Sequence, residues 1–218
     1  MQLSVKTIDV LKNFSTINPS IVLKPGNVIS TISPNKTIMA RATVPDEFPG
    51  VHGIYKLNRF INSLSLFENP PELNFESTSV AMSADNRSTV FHFAEPSTIM
   101  VPPEKEIKLP SVDVEFNVTN KDIQTVMKGL GILELTEIAV VGDGSHISLC
   151  AIDSKSGTSD NFSIKLGETD KAFRAIFRAE NMKMMDGDYT VKLSSKGISQ
   201  FIGLEASYWI AIEASSTW

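Results

Sequence analysis

Between Pro102 and Pro110 the chain reads Pro-Pro-Glu-Lys-Glu-Ile-Lys-Leu-Pro, a charged stretch bracketed by prolines. Proline lacks an amide donor and fixes φ, so this stretch favours an extended connector over a central strand. It lies near the middle of 218 residues and leaves two halves, each about the size of a small domain. The expected division is 1–101, a connector at 102–112, and 113–218.

The halves repeat one order of elements. In the first, Ile8, Val10, Leu11, Phe14 and Ile17 fall on one arc at helical spacing, predicting a helix from Val5 to Asn18 that stops at Asn18-Pro19. Strands are expected at Ser20 to Lys24, Val28 to Ser33, Thr37 to Val44 and Val51 to Tyr55. A second helix follows with Leu57, Phe60, Ile61 and Leu64 on its apolar face. Further strands are expected at Glu72 to Ser77, Ser79 to Ala84, Arg87 to Phe93 and Ser97 to Val101.

In the second half a strand at Asp113 to Val118 leads to Thr119, which can cap a helix carrying Ile123, Val126, Met127 and Leu130 on one face. Strands are expected at Leu133 to Val141, His146 to Asp153, Phe162 to Leu166 and Ala172 to Phe177. A short helix over Ala179 to Met185 precedes strands at Tyr189 to Ser194, Ile198 to Ile202 and Tyr208 to Glu213. The fold class is therefore α+β, with two similar halves, each of two helices and antiparallel strands. The repeat is one of architecture, with faint residue echoes such as Ile54-Tyr55-Lys56 and Ile176-Phe177-Arg178.

Several kinds of chemistry lack their carriers. His52, His92 and His146 stand apart with no second ligand at metal spacing, and no phosphate-binding loop or nucleophile elbow is present. Asp186-Gly187-Asp188 and Gly142-Asp143-Gly144 read as turns, because neither continues with the oxygen ligands of a calcium loop. Neither Asp46-Glu47 nor Asp85 with Glu95 shows the burial that raises a catalytic carboxyl pKa. Cys150 is the only cysteine and sits in the strand-like HISLCAI, as a small buried thiol would. No enzyme activity, cofactor or metal is expected. No apolar run approaches the roughly 18 residues of a membrane span, and the N-terminus lacks a secretory pattern.

Charge is uneven. Residues 1–109 carry ten Lys/Arg and ten Asp/Glu, and residues 110–218 carry ten and fifteen, so the second half holds the whole net charge of −5. A chain that grips phosphates tightly is normally basic, which disfavours tight DNA binding. Yet each predicted helix sets basic residues opposite its apolar stripe: Lys6 and Lys12, Lys56 and Arg59, Lys121 and Lys128, Arg178 and Lys183. Asp9 and Glu180 lie among them, so these faces are basic on balance.

Four stretches carry a family resemblance: LKNFSTIN at Leu11 to Asn18, STVF followed by AEPST within Ser88 to Thr98, ENMKM before DGDY within Glu180 to Tyr189, and ASYWIAIEASST at Ala206 to Thr217. In these the chain resembles the DNA polymerase sliding clamps of T-even-type bacteriophages. The resemblance implies two clamp-type domains per subunit and a homotrimeric closed ring around double-stranded DNA, held without regard to sequence. The helices with Lys12, Arg59, Lys121 and Lys128 would line the hole. It implies an ATP-dependent clamp loader, a phage DNA polymerase docking by its C-terminal tail, assistance to late transcription, and action in the cytoplasm of the infected bacterial host.

By analogy with clamps, the tail pocket would include Ile107, Leu109, Ile212 and Ala214, for which core packing is the other reading. Subunits would join by strand edges, Ser97 to Val101 against Asn161 to Leu166, placing Ile99, Val101, Phe162 and Ile164 at the interface. A β-rich virion or assembly protein is the rival reading, and a hydrolase ranks below it because no nucleophile and base can be paired.

Overall fold

The computed structural model describes residues 1–105 and 107–218. Glu106, within the expected connector, lies outside the described residues. The chain divides into two compact units, Met1–Glu106 and Ile107–Trp218.

Unit 1 opens with α1 (Val5–Ile17). Ser4 caps it, its hydroxyl accepting from the Thr7 amide at 3.2 Å, and Asp46 Oδ2 in turn accepts from the Ser4 amide, the Ser4 hydroxyl and the Thr7 hydroxyl. Burial raises the Asp46 pKa, but these donors outweigh it and hold the carboxyl below its usual range. Val10, Leu11, Phe14 and Ile17 form the buried stripe, each worth about 1.5–3 kcal/mol when removed from water. The helix ends at Asn18, whose side chain bonds the Ile32 carbonyl at 2.8 Å and the Ser20 amide at 2.9 Å.

The strands follow as β1 (Ile21–Leu23), β2 (Gly26–Ile32), β3 (Ile38–Phe48) and β4 (His52–Ile54), with β1 pairing β4 and β2 pairing β3. β3 runs past its expected end at Val44, through Pro45, because the register shifts between Gly26 and Val28 and the irregularity accommodates a residue without an amide donor. Then come α2 (Leu57–Leu64), which packs on α1, and β5 (Glu72–Phe75), β6 (Ser79–Ala84) and β7 (Arg87–His92) in a three-stranded antiparallel sheet. β7 stands at its edge, pairing only with β6. Gly53 bridges Ala94, and a Cβ there would sit 2.5 Å from the Ala94 carbonyl oxygen, so no other residue fits.

The expected strand over Ser97 to Val101 is absent. Pro96–Thr98 instead forms a 3₁₀ turn, with the Thr98 amide on the Glu95 carbonyl at 3.0 Å and the Ile99 amide on Pro96 at 3.1 Å. Proline at the first turn position is pre-set for this geometry, and the Thr98 hydroxyl doubles the bond to Glu95.

Unit 2 begins with β8 (Val114–Val118) and α3 (Asn120–Ile132). Thr119 and Asp122 make a reciprocal capping box. The sequence from 133 to 136 is not strand as expected: the Leu133 and Leu135 amides still bond carbonyls of α3. β9 (Glu137–Asp143), β10 (His146–Ile152), β11 (Phe162–Glu168) and β12 (Ala172–Arg178) form a sheet of order β11-β10-β9-β12. β13 (Tyr189–Ser194) lies between β8 and β14 (Ile198–Ile202), and β14 pairs with β15 (Ala206–Ala211). Beyond β15, Thr217 bridges Arg174 on β12, and Trp218 stacks on Phe173 at 5.8 Å.

The helix expected at Ala179 to Met185 is reduced to a 3₁₀ turn, Ala179–Asn181. The Met185 backbone is captured from elsewhere: its amide donates to the Tyr208 hydroxyl at 3.1 Å and its carbonyl accepts from the Tyr189 hydroxyl. Burial pushes the Tyr208 pKa up to about 12, so the phenol stays protonated. Among the described residues the chain thus has three α-helices, two in unit 1 and one in unit 2. Residues from both sheets of unit 2 and from α3, among them Phe116, Ile123, Ile138, Phe177 and Phe201, surround a void of about 10 Å³.

Candidate nucleic-acid interface

The eight basic residues singled out from sequence fall into three groups. On α1, Lys12 pairs with Asp9 at 3.3 Å, one turn back, and Lys6 is half-buried and already engaged. At the end of β12, Arg178 meets Glu213 at 3.2 Å and Glu180 at 3.7 Å, while Lys183 is exposed and also engaged. Exposed pairs of this kind contribute about 0–1 kcal/mol each, but they offset the charge offered to a polyanion.

The third group is Lys56, Arg59, Lys121 and Lys128. All four are exposed, and none makes an ion pair among the described residues. Lys121 and Lys128 are seven residues apart on α3, two turns along the same face. That face stays open to solvent because the buried side of α3 is fixed by Val126 against β9, β10 and β11. Lys56 caps the start of α2 and Arg59 lies in its first turn. Together with Tyr55 they line a cleft of about 300 Å³ whose far wall is residues 90–94, at the C-terminal end of β7 and just beyond it.

A second cleft, of about 660 Å³, lies beside Arg178 and includes Glu137, Lys155, Glu180 and Glu213. Lys155 was not singled out from sequence: it sits in a Ser/Gly/Thr/Asp loop with no apolar periodicity to mark its face. Glu137 is buried, and its Oε2 accepts the Ser154 amide at 2.7 Å.

The other candidates are scattered. Ile107 and Leu109 are half-buried, Ile212 is buried, and Ala214 is exposed. Ile99 is 6% exposed and closes the 3₁₀ turn, whereas Val101 is 41% exposed. Phe162 and Ile164 share one face of β11, which is an edge strand. The Phe162 ring lies over α3 at Gly129, where an added Cβ would come within 2.8 Å of it.

The titratable interior offers little chemistry. His52 is buried between Phe75 and Phe93, at ring distances of 5.0 and 4.6 Å, with neither nitrogen hydrogen-bonded, and burial lowers its pKa. Burial likewise raises the Cys150 thiol, against the weaker pull of Arg174, and suppresses its thiolate. Among the described residues no three His, Cys, Asp or Glu side chains gather as a metal site, and no helix is long and apolar enough to cross a membrane.

Two family models match this chain: residues 4–99 match one described as a DNA polymerase processivity factor, and residues 115–214 match one described as the C-terminal part of the gp45 sliding clamp. The chain is 34% identical to the sliding clamp of Vibrio phage KVP40, covering 98% of this chain and 100% of that protein. It is also 34% identical to the sliding clamp of Enterobacteria phage T4, over 100% and 99% of the two. Among solved structures it resembles A. fulgidus PCNA bound to the C-terminal region of FEN-1, with a TM-score of 0.69, 13% identity and 95% of each chain covered. It resembles the Helicobacter pylori beta clamp bound to a DNA ligase peptide, with a TM-score of 0.71 and 9% identity, over 98% of this chain and 65% of that one. At these identities the structural likeness speaks for the fold.

Proposed function

This chain belongs to the sliding clamp family of DNA polymerase processivity factors, and from that premise we propose that three copies close into a ring that encircles duplex DNA. The observation that supports this most is the open face of α3: Lys121 and Lys128 stand exposed and unpaired among the described residues of a chain whose net charge is −5. A few unpaired cations guide phosphates without reading bases, and an acidic remainder repels stray nucleic acid. Each neutralised phosphate steepens the salt dependence of binding, so few contacts suit a protein that must slide. Topology, rather than affinity, keeps the duplex in place.

The ring carries out no chemistry of its own. An ATP-dependent loader opens it, and the replicative polymerase of the phage docks through its C-terminal tail, in the cytoplasm of the infected host. The same ring assists late transcription. Ala214 and the half-buried Ile107 and Leu109 offer apolar contact to such a tail, whereas Ile212 is buried. The two domains follow the bounds 1–101 and 113–218 with a connector at 102–112. The rival reading, a virion or assembly protein, has no support in the full-length matches to sliding clamps.

Ser97 to Val101 is not a strand, so we assign the joining edge of unit 1 to β7, the edge strand that leads directly into that segment, and pair it with β11 of the next copy. The test is primer extension on a circular template with loader and polymerase. Replacing Lys12, Lys121 and Lys128 together by Glu should shorten products about tenfold or more, with a melting temperature within about 2 °C of the parent. Products of unchanged length would overturn the assignment of these residues to DNA.

A further inference from the structure

Lys56 and Arg59 differ from the α3 lysines in one respect: they do not stand on an open helix face but line a cleft against an unpaired strand edge. An edge strand presents a row of free amides and carbonyls, and single chains usually guard it with a lysine, a proline or an inward charge. β7 has none of these. Its one cation, Arg87, is tied to Glu68 at 2.6 Å, and Val90 is 55% exposed. No carboxylate lines the cleft, which adds His92 and the exposed ring of Tyr55 to the two cations.

The complement lies in the other half of the same sequence. β11 has seven residues against six in β7, and it too pairs on one side only. Asp160 lies two residues before it and Glu168 at its end; both are exposed and neither makes an ion pair among the described residues. The strand pairs in both units described above are antiparallel. Antiparallel addition brings the start of β11 to the end of β7, where the cleft is.

We infer that this cleft is an ion-pairing socket for a second copy of the chain, which adds its β11 to β7 and seats Asp160 against Lys56 and Arg59. The inference rests on the ring reading above and narrows it: these two residues fasten subunits instead of touching DNA. Held beside a strand pair and away from bulk water, such a contact is worth more than an exposed pair and sets register as well as strength.

Light scattering over a concentration series separates the two claims. A wild-type chain that stays monomeric at all concentrations overturns the ring reading and this inference with it. Given a wild-type multimer, K56E/R59E and, separately, D160K should each raise the dissociation constant by roughly 30-fold, and K56E/R59E/D160K should return it to within about threefold of wild type. Far-ultraviolet dichroism should be unchanged throughout, since all three residues are exposed, and K56Q/R59Q gives a milder loss without adding charge. A multimer indifferent to K56E/R59E overturns the socket alone, and rescue by E168K in place of D160K overturns the antiparallel seating.

Discussion

α1 and α3 have the same length of 13 residues and both carry lysines on their outer faces, yet they are held by different means. α1 buries Thr7, Val10, Leu11, Phe14 and Ile17 and packs against α2, β2 and β3. α3 fully buries Val126 alone, leaves Ile132 69% exposed, and has no helical neighbour within its unit, because 179–181 makes only a 3₁₀ turn. What α3 lacks in burial it has in polar ties near its start: the Thr119–Asp122 box, the Asn120 amide on Asp188 at 2.7 Å, and Gln124 on Asp186 at 3.2 Å. The contrast teaches that a helix presenting cations can be positioned by its core or by its N-terminal end, and that the second arrangement leaves more of its surface open.

The comparison breaks most sharply at the buried stripe. Phe14→Ala should cost about 3–5 kcal/mol, the range for emptying a buried aromatic site, read as a loss of unfolding free energy in urea; a loss below about 1 kcal/mol would show that α1 is not held by its core. At α3 the sensitive place is the cap. Thr119→Ala should cost about 1 kcal/mol and, in amide exchange, loosen the first turn of α3 while α1 keeps its protection.

The smallest effect near neutral pH lies with His52. Its folded pKa is lowered, so the unfolded chain takes up the proton first. The stability due to its neutral form is complete above the unfolded value of about 6.5 and falls as pH drops through it. Acid should therefore soften unit 1 before unit 2, and His52→Leu should flatten unfolding midpoints between about pH 5 and 7. Asp46, held below its ordinary range, adds a separate loss only near about pH 4 and lower. An unchanged pH profile in the leucine variant would remove His52 from the account.

Much of this was legible in the chain itself, because the signals are local. The apolar arcs of α1 and α2, the Thr119 cap and the Asn18-Pro19 stop each act within a few residues. The misread segments are those in which a distant group decides. Asn-Met-Lys-Met-Met has helical spacing, but Tyr208, 23 residues away, takes the Met185 amide. Ser97 to Val101 has strand-like residues, but Pro96 turns the backbone before they can extend. The basic faces were legible as composition, whereas their division was not: Arg178 is engaged by Glu213 across 35 positions, and the cleft of Lys56 and Arg59 exists only because β7 returns beside α2.

Gly129 gives the contrast between the helices a mechanical side. Glycine weakens a helix interior by about 1 kcal/mol relative to alanine, and here it leaves room for the Phe162 ring of the edge strand β11 to rest directly on the α3 backbone. Side chain and helix meet there without an intervening methyl group. A β-carbon at position 129 would come within 2.8 Å of that ring, so the edge strand and the residue next to Lys128 keep this spacing only while 129 carries no side chain.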